Sequence, residues 1–155
     1  MTVLETVTSV DISRYLGKWY EIAKFPVSFE NGLVGITAEY SLLPNGKVRV
    51  VNSGHVGSID GKLKVAKGKA WVVDRTTNAK LKVRFFWPFA ADYWIIELGA
   101  DYEYAVVSGP MKNYLWILSR RPVMDESLYQ EILERLLEKG FDVSRLEKNL
   151  QSSAK

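Results

Sequence analysis

The stretch GKWYEIAKF, residues 17–25, decides the fold of this chain. It opens with a glycine, places a tryptophan two residues later, and then alternates with the two-residue period of a β-strand. The preceding residues 11–16, DISRYL, have the character of a short helix that leads into the strand. Glu21 lies on the same side of the strand as Trp19, where the apolar pattern leads us to expect an uncharged side chain. The stretch therefore predicts a first strand whose inner face holds one carboxyl that needs a partner or internal water.

Seven more strand-like runs follow, separated by turn signals such as Pro44-Asn45-Gly46 and Asp60-Gly61. The eight runs are residues 19–25, 37–42, 47–54, 67–73, 80–87, 92–98, 104–109 and 114–119. Strands joined by hairpin turns, with no helix between them, predict an antiparallel meander. Eight strands are also about the number that closes into a barrel able to hold one small ligand. The sequence thus predicts an all-β fold, an eight-stranded antiparallel up-and-down β-barrel.

A C-terminal helix is predicted after the last strand. Asp125 can cap its start, Gly140 can end it, and its apolar positions recur at a spacing of three to four residues: Leu128, Ile132, Leu133, Leu136 and Leu137. Residues 93–98 are apolar on both faces, so we expect this helix to cover the outside of the barrel. Its opposite face is mostly acidic, which argues against a helix that lies on a membrane surface.

The length of 155 residues predicts a single domain, with residues 1–10 as an N-terminal extension and residues 147–155 as a flexible tail. The 47% hydrophobic and 25% charged residues are values of a globular protein. No run approaches the length of a membrane helix, and residues 1–10 lack the features of a signal peptide. The chain as written is therefore predicted to be soluble, with no signal peptide and no cysteine for a lipid anchor.

The chain contains few of the residue patterns that enzymes commonly use for catalysis. His55 is the only histidine, it falls on the outward parity of its strand, and there is no cysteine. A metal site or a nucleophile activated by histidine would have to be built on that one residue. The sequence also lacks a phosphate-binding loop and a dinucleotide fingerprint. We therefore predict no enzyme, no metal and no cofactor.

Nucleic-acid binding is an alternative, because basic residues surround Trp71 on adjacent predicted strands: Lys62, Lys64, Lys67, Lys69, Lys80, Lys82 and Arg84. Charged residues on the solvent face of a strand also keep edges from pairing, which is the more ordinary explanation. The whole chain carries only +3, from 21 basic and 18 acidic residues. We predict no nucleic-acid partner, and failure to bind oligonucleotides at any salt concentration would remove this alternative.

Three motifs in order resemble the signature regions of the lipocalins: Gly17-Lys18-Trp19, residues 101–105 (DYEYA), and Arg120 within LWILSRRP. Together, on an eight-stranded meander followed by a helix, they are a specific signal. The resemblance runs from Asp11 to about Leu146. Stretches such as TAEYSLLPNGKV and GFDVSRL are most similar to the bacterial outer-membrane lipocalins and the apolipoprotein D type.

The resemblance implies a calyx with one closed end and one open end. In an up-and-down barrel the first strand begins where the eighth ends, so Trp19 and Arg120 can meet there through a cation–π contact. The open end should then be ringed by the loops 26–35, 57–62, 87–92 and 110–113. The first of these carries Phe29, Leu33 and Val34, which suits a partly apolar lid.

The inward-facing residues follow from the clean alternation of the fifth strand and from the pattern of the family. They are Ala38, Tyr40, Val48, Val50, Asn52, Ala70, Val72, Leu81, Val83, Phe85, Tyr93, Ile95, Ala105, Val107, Tyr114, Trp116 and Leu118. The predicted ligand-binding residues are Phe29, Ala38, Tyr40, Val50, Asn52, Val83, Phe85, Tyr93, Tyr114 and Trp116. Polar anchors for a ligand would be Asn52, Tyr93 and Tyr114 inside, with Lys62, Lys64 or Lys112 at the mouth.

This lining predicts non-enzymatic binding, storage or transport of a small hydrophobic ligand, with a fatty acid or a lysophospholipid as the leading candidate. Two alternatives stay open: an enzyme of the lipocalin type, such as an isomerase, and a filled barrel that acts through its loops. By resemblance the protein would work in the bacterial cell envelope, periplasm or outer membrane, in the neighbourhood of a membrane. Bacterial relatives carry a lipidated cysteine, which this sequence does not contain.

Overall fold

A computed structural model describes residues 3–27, 30–86 and 89–151. Within them, two α-helices and nine β-strands follow one another in the order α1, β1 to β8, α2, β9. The helices are α1 (Ile12–Tyr15) and α2 (Glu126–Glu138). The strands are β1 (Gly17–Lys24), β2 (Leu33–Leu42), β3 (Val48–Val56), β4 (Leu63–Val72), β5 (Lys80–Phe86), β6 (Phe89–Leu98), β7 (Tyr104–Ser108), β8 (Leu115–Ser119) and β9 (Glu147–Lys148).

The first eight strands close into the predicted barrel. Each of β1 to β7 pairs antiparallel with the next, and β1 also pairs with β8, so the sheet has no open edge between them. Trp19 lies opposite Ala38 on β2, and Glu21 lies opposite Leu118 on β8. The eight-stranded antiparallel meander predicted from the sequence is therefore confirmed.

The barrel separates two apolar clusters. The inner one contains Trp19, Tyr40, Val50, Ile95 and other residues of the predicted inward face. The outer one lies between α2 and the outside of the wall and contains Ile22, Ile96, Val106, Ile117, Ile132 and Leu136. Ile95 belongs to the inner cluster and the adjacent Ile96 to the outer one, as the alternation of a strand requires, which explains why this strand is apolar on both faces.

Helix α2 begins and ends where its sequence signals predict. The side chain of Asp125 accepts a hydrogen bond from the backbone N–H of Leu128, and Gly140 adopts a positive φ of 92° just after the last turn. Glu97 on β6 ties the helix to the wall: its Oε1 lies 2.7 Å from Nε of Arg135, and its Oε2 lies 3.4 Å from Nζ of Lys139.

The N-terminal segment packs against the closed end of the barrel. The backbone N–H of Val7 donates to the carbonyl of Ile95, the N–H of Val10 donates to Thr77, and Val10 is only 2% exposed. Asp11 then caps α1 by accepting a hydrogen bond from the N–H of Ser13. This helix lies across the closed end and brings Tyr15 into the inner cluster.

The expectation that the tail becomes flexible at residue 147 was wrong for its first five residues. Strand β9 pairs with Ala23 and Lys24 of β1. Gln151 is buried, and its side-chain amide donates to the backbone carbonyls of Glu21 and Ile36. These bonds satisfy backbone groups that extend beyond the pairing of β1 with β2, so residues 147–151 seal the junction between those strands.

None of the helices in the described part of the chain has the length and the apolar character that crossing a membrane requires.

Candidate ligand-binding site

The closed end of the barrel is built by Arg120 and Trp19, as the sequence predicts. The guanidinium carbon of Arg120 lies 3.8 Å from the centroid of the Trp19 ring, and Trp19 is fully buried. The indole N–H of Trp19 donates to the carbonyl of Tyr15 at 2.9 Å. Gly17 has a φ of 103°, and a Cβ at this position would lie 3.3 Å from a guanidinium nitrogen of Arg120. These residues close the barrel at this end.

Three tyrosines fill the floor of the barrel. The hydroxyl of Tyr93 lies 2.8 Å from the hydroxyl of Tyr15 and 2.8 Å from that of Tyr40. Burial raises the pKa of Tyr40 to about 12 and raises the pKa values of Tyr15 and Tyr93 well above their ordinary value. The two predicted binding residues, Tyr40 and Tyr93, are thus brought together, but their hydroxyls bond to each other and to Tyr15.

The space left beside the tyrosines is a cavity of about 20 Å³. Its lining includes Ile12, Leu16, Val50 and Leu81 from the closed half of the barrel, and it also reaches Val83. A void of this size holds about one water molecule and no hydrocarbon chain. The predicted contact with Val50, which is 2% exposed, therefore belongs to the packed floor of the barrel.

Above the floor, five predicted binding residues face into the barrel and are only half-buried: Ala38, Asn52, Val83, Phe85 and Trp116. Ala38 lies opposite Asn52, and Val83 lies opposite Ala70, so small residues alternate with larger ones across this wall. Gly68 is a further small residue in this part of the barrel. It lies opposite Val50, and a Cβ at this position would collide with the Phe85 ring at 2.8 Å. We call Ala38, Asn52, Val83, Phe85 and Trp116 the upper wall.

Tyr114 stands at the open end, just before β8. Its ring centroid is 5.2 Å from that of Trp116, and its hydroxyl donates a short hydrogen bond to the backbone carbonyl of Asp92. Burial raises the pKa of Tyr114 to about 12. The hydroxyl predicted as a ligand anchor is therefore engaged with the neighbouring β6, and the ring supports Trp116 from the side.

Charged residues occupy the interior next to the upper wall. Glu21, Lys24 and Glu30 are 4%, 6% and 6% exposed, and Nζ of Lys24 lies 3.8 Å from Oε1 of Glu30. Burial is the main cause that raises the pKa of Glu21 well above the ordinary value, with the nearby Glu30 carboxyl adding to it. Burial also raises the pKa of Glu30. Glu21 thus has a second carboxyl beside it, whereas the nearby Lys24 forms its ion pair with Glu30.

Sequence reasoning missed Lys24 and Glu30. A β-bulge between Glu21 and Ala23 shifts the register of β1 against β8, so that Lys24 faces inward opposite Trp116. Strict alternation from Trp19 would place Lys24 on the outside. Glu30 comes from the segment between β1 and β2, where no strand period applies. Tyr15 was missed because it enters the barrel from a helix.

Phe29, the remaining predicted binding residue, lies outside the described residues. His55 is half-buried, with Nδ1 3.0 Å from the carbonyl oxygen of Gly61. Among the described residues no group of three or more histidine, aspartate or glutamate side chains could hold a metal ion.

The basic residues around Trp71 lie on the outside of the barrel. Arg49, Lys69 and Arg84 lie directly opposite one another across β3, β4 and β5. Arg84 also lies over the Trp71 ring, at 5.3 Å from its centroid, and Lys82 forms an ion pair of 2.9 Å with Asp92. These cations form a row on the solvent side, separate from the inner cluster.

Comparison with known proteins places these features in a family. The family model described as a lipocalin-like domain matches residues 10–151. The outer membrane lipoprotein Blc of Escherichia coli K12 is 45% identical over 139 residues, which cover 90% of this chain and 78% of that protein. Temperature-induced lipocalin-1 of Arabidopsis thaliana is 38% identical over 159 residues, covering 96% of this chain and 83% of that protein.

Among solved structures, insecticyanin from the tobacco hornworm Manduca sexta superposes with a TM-score of 0.77 and 24% sequence identity. The match covers 97% of this chain and 86% of that chain, which supports the barrel fold. The closed end formed by Gly17, Trp19 and Arg120, the eight-stranded barrel and the match over residues 10–151 agree with one another. The chain therefore belongs to the lipocalin family, whose members are generally proteins that bind small hydrophobic ligands.

Proposed function

We propose that this lipocalin binds one long-chain lipid in its barrel, a fatty acid or a lysophospholipid, and acts as a non-enzymatic carrier. The observation that carries the proposal is the upper wall. Val83, Phe85 and Trp116 face inward among apolar neighbours and yet remain half-buried. Inward residues of a filled barrel would be buried as Tyr40, Val50 and Leu81 of the floor are, so the upper half offers apolar surface that a ligand can cover.

The driving force is the removal of the hydrocarbon chain from water. Burying ten methylene groups would contribute about 8 kcal/mol, at about 0.8 kcal/mol each. Association costs of at least about 4 kcal/mol offset half of this. Tight binding therefore requires a longer chain or a polar anchor inside the barrel. Asn52 on the upper wall and the charged residues beside it are suited to that role.

The same geometry gives less support to the two alternatives, a filled barrel and an enzyme of the lipocalin type. A filled barrel describes the floor, where the tyrosine hydroxyls bond to one another, but it does not account for the half-buried upper wall. An enzyme of the lipocalin type would need a reactive group in the ligand space, and the chain contains no cysteine. Turnover assays with isomerase substrates would test this alternative directly.

Titration with a lysophospholipid and with a fatty acid, each below its micelle concentration, tests the proposal through tryptophan fluorescence. Ala38→Trp would fill the space opposite Asn52 and should weaken binding at least about tenfold. Val51→Trp on the opposite face of the next strand is the matched control and should bind as the parent does. Equal affinity of the Ala38→Trp protein, verified to be folded by its melting transition, would contradict binding in the barrel.

We further propose that the protein works beside a membrane of the bacterial cell envelope. Support comes from the relatives named as outer membrane lipoproteins and from the outer row of Arg49, Lys69 and Arg84. Like charges placed opposite one another destabilise a sheet, whereas an anionic lipid surface would offset their repulsion. Sedimentation with anionic vesicles, compared with zwitterionic ones, should detect binding that Lys69→Glu weakens. Equal sedimentation of both proteins would contradict it.

A further inference from the structure

The interior of the barrel contains two carboxyl groups whose bonding is incomplete. Oε1 of Glu21 and Oε1 of Glu30 are buried and have no hydrogen-bond partner among the described residues. Both side chains are less than one tenth exposed. Leaving a buried carboxyl oxygen unpaired is costly, so such groups call for an explanation in terms of a proton, an ion or a ligand.

The position of the pair connects it to the proposed ligand space. Glu21 lies opposite Leu118, a residue of the inner cluster, and therefore points into the barrel. Glu30 comes from the segment between β1 and β2, and its carboxyl lies within reach of the Glu21 carboxyl, the Lys24 ammonium and the Trp116 side chain. Trp116 belongs to the upper wall. A ligand that covers this wall would thus bring its polar end within reach of both carboxyls.

The two carboxyls could accept one more positive charge or hydrogen-bond donor than the protein places beside them. Lys24 is the nearest cation, with its ammonium nitrogen 3.8 Å from Glu30. This nitrogen also lies 4.0 Å from Glu147, whose side chain is 59% exposed. One buried ammonium therefore faces two buried carboxyls. A carboxylate brought into this space would add like charge, whereas a donor would fill the unpaired oxygens.

We propose that Glu21 and Glu30 form the head-group site of the barrel, and that this site takes a hydrogen-bond donor, an ammonium in preference to a hydroxyl, and disfavours a carboxylate. The inference rests on the proposed lipid-binding function and adds the chemical class of the ligand's polar end. Of the two lipids proposed above, it favours a lysophospholipid that carries an amino head group. A fatty acid would then enter with its carboxylate directed away from the pair.

Binding of an ammonium should also displace a proton. The pair is surrounded by Lys24 on β1, Trp116 on β8, Tyr40 on β2 and Glu147 on β9, and of these only Lys24 brings a positive charge. The raised pKa values of both carboxyls mean that Glu21 holds its proton more strongly than an ordinary glutamate. An incoming ammonium stabilises the ionised form, so the proton passes to the solvent and affinity increases with pH.

A matched series of probes tests the site: dodecylamine, dodecanol and dodecanoate, which share one chain and differ in the head group. At about pH 7 the amine should bind the parent protein at least about tenfold more tightly than the carboxylate, with the alcohol between them. Glu21→Gln and Glu30→Gln should each reduce this preference to about threefold or less. Calorimetry of the amine in two buffers of different ionisation enthalpy should show proton release in the parent and less in Glu21→Gln.

Glu147→Gln provides the matched control, because Glu147 faces the same Lys24 from the surface and should leave the preference unchanged. Binding of the carboxylate within about threefold of the amine in the parent would overturn the head-group site while leaving the barrel function intact. An amine preference that persists in both glutamine variants would also overturn it. If none of the three probes bound the parent protein, the proposed function and the head-group site would fall together.

Discussion

Arg120 covers the buried ring of Trp19 at 3.8 Å and at the same time donates hydrogen bonds to three backbone carbonyls. The acceptors are Tyr102, Lys18 and Arg14, at 3.2, 3.0 and 2.7 Å. These carbonyls belong to the turn before β7, to β1 and to α1. One side chain therefore joins three segments that are distant in sequence, and the closed end depends on it.

Removal of this guanidinium should destabilise the fold strongly. Arg120→Met keeps the apolar stem but loses the three hydrogen bonds and the cation–π contact, at a cost of about 2–4 kcal/mol in the free energy of unfolding. Chemical denaturation measures it. The neighbouring Arg121 is exposed, so Arg121→Met is the control, with an expected change below about 0.5 kcal/mol. Equal effects of the two substitutions would show that the closed end does not depend on Arg120.

Gly17 should tolerate a methyl group less well than another glycine with a similar positive φ. Gly17 and Gly46 both have positive φ values, 103° and 88°, but only at Gly17 would the new Cβ meet the Arg120 guanidinium. Gly46→Ala should cost about 1 kcal/mol from backbone strain alone, and Gly17→Ala should cost measurably more. Melting temperatures of the two variants provide the comparison, and a larger loss at Gly46 would contradict the close approach.

The parts of the fold that could be predicted from sequence are those in which local signals repeat. Alternating strands and hairpin turns predict the barrel, and the Asp125 cap and Gly140 predict the ends of α2. The pairing of Trp19 with Arg120 also follows, because an up-and-down barrel brings the start of β1 beside the end of β8. In each case the residues themselves specify the geometry.

The candidate site was harder to predict because its decisive residues break the local period. The bulge in β1 turns Lys24 inward, and no sequence signal separates this bulge from plain alternation. Tyr15 reaches the floor from a helix, so its bond to Tyr93 depends on how α1 packs across the barrel. The small floor cavity follows from that same helix, which occupies space that the strand pattern alone leaves open.

Helix α2 should contribute to stability through its inner face alone. Ile132 is fully buried between the helix and the wall, whereas Leu137 is 58% exposed. Ile132→Ala should lower the free energy of unfolding by about 2–5 kcal/mol, and Leu137→Ala by less than about 1 kcal/mol. Urea denaturation distinguishes the two, and similar losses would contradict the packing of this helix on the barrel.

Glu21 should make the fold less stable as pH increases. Burial raises its pKa in the folded protein, whereas in the unfolded chain the carboxyl has its ordinary value of 4.5. Above that value the unfolded chain ionises first and is stabilised, so stability declines until the pH passes the raised pKa of the folded state. Glu21→Gln should therefore be more stable than the parent at about pH 7, with a shallower decline from about pH 5 upward.

Urea unfolding at a series of pH values measures this difference. Glu39→Gln is the control, because Glu39 is an exposed carboxyl on β2. It should follow the parent at every pH. A decline in the Glu21→Gln protein as steep as that of the parent would show that the buried carboxyl does not titrate as its surroundings require.

The location of the lipid chain is the central claim, and quenching by a brominated lysophospholipid tests it most directly. In a protein that already carries Trp87→Phe, the further substitution Trp116→Phe should remove most of the quenching, because Trp116 lines the upper wall. The substitution Trp71→Phe in the same protein should leave the quenching unchanged, because Trp71 lies on the outside of the barrel beneath Arg84. Quenching that survives the loss of Trp116 but disappears with Trp71 would place the lipid on the outer surface and contradict binding in the barrel.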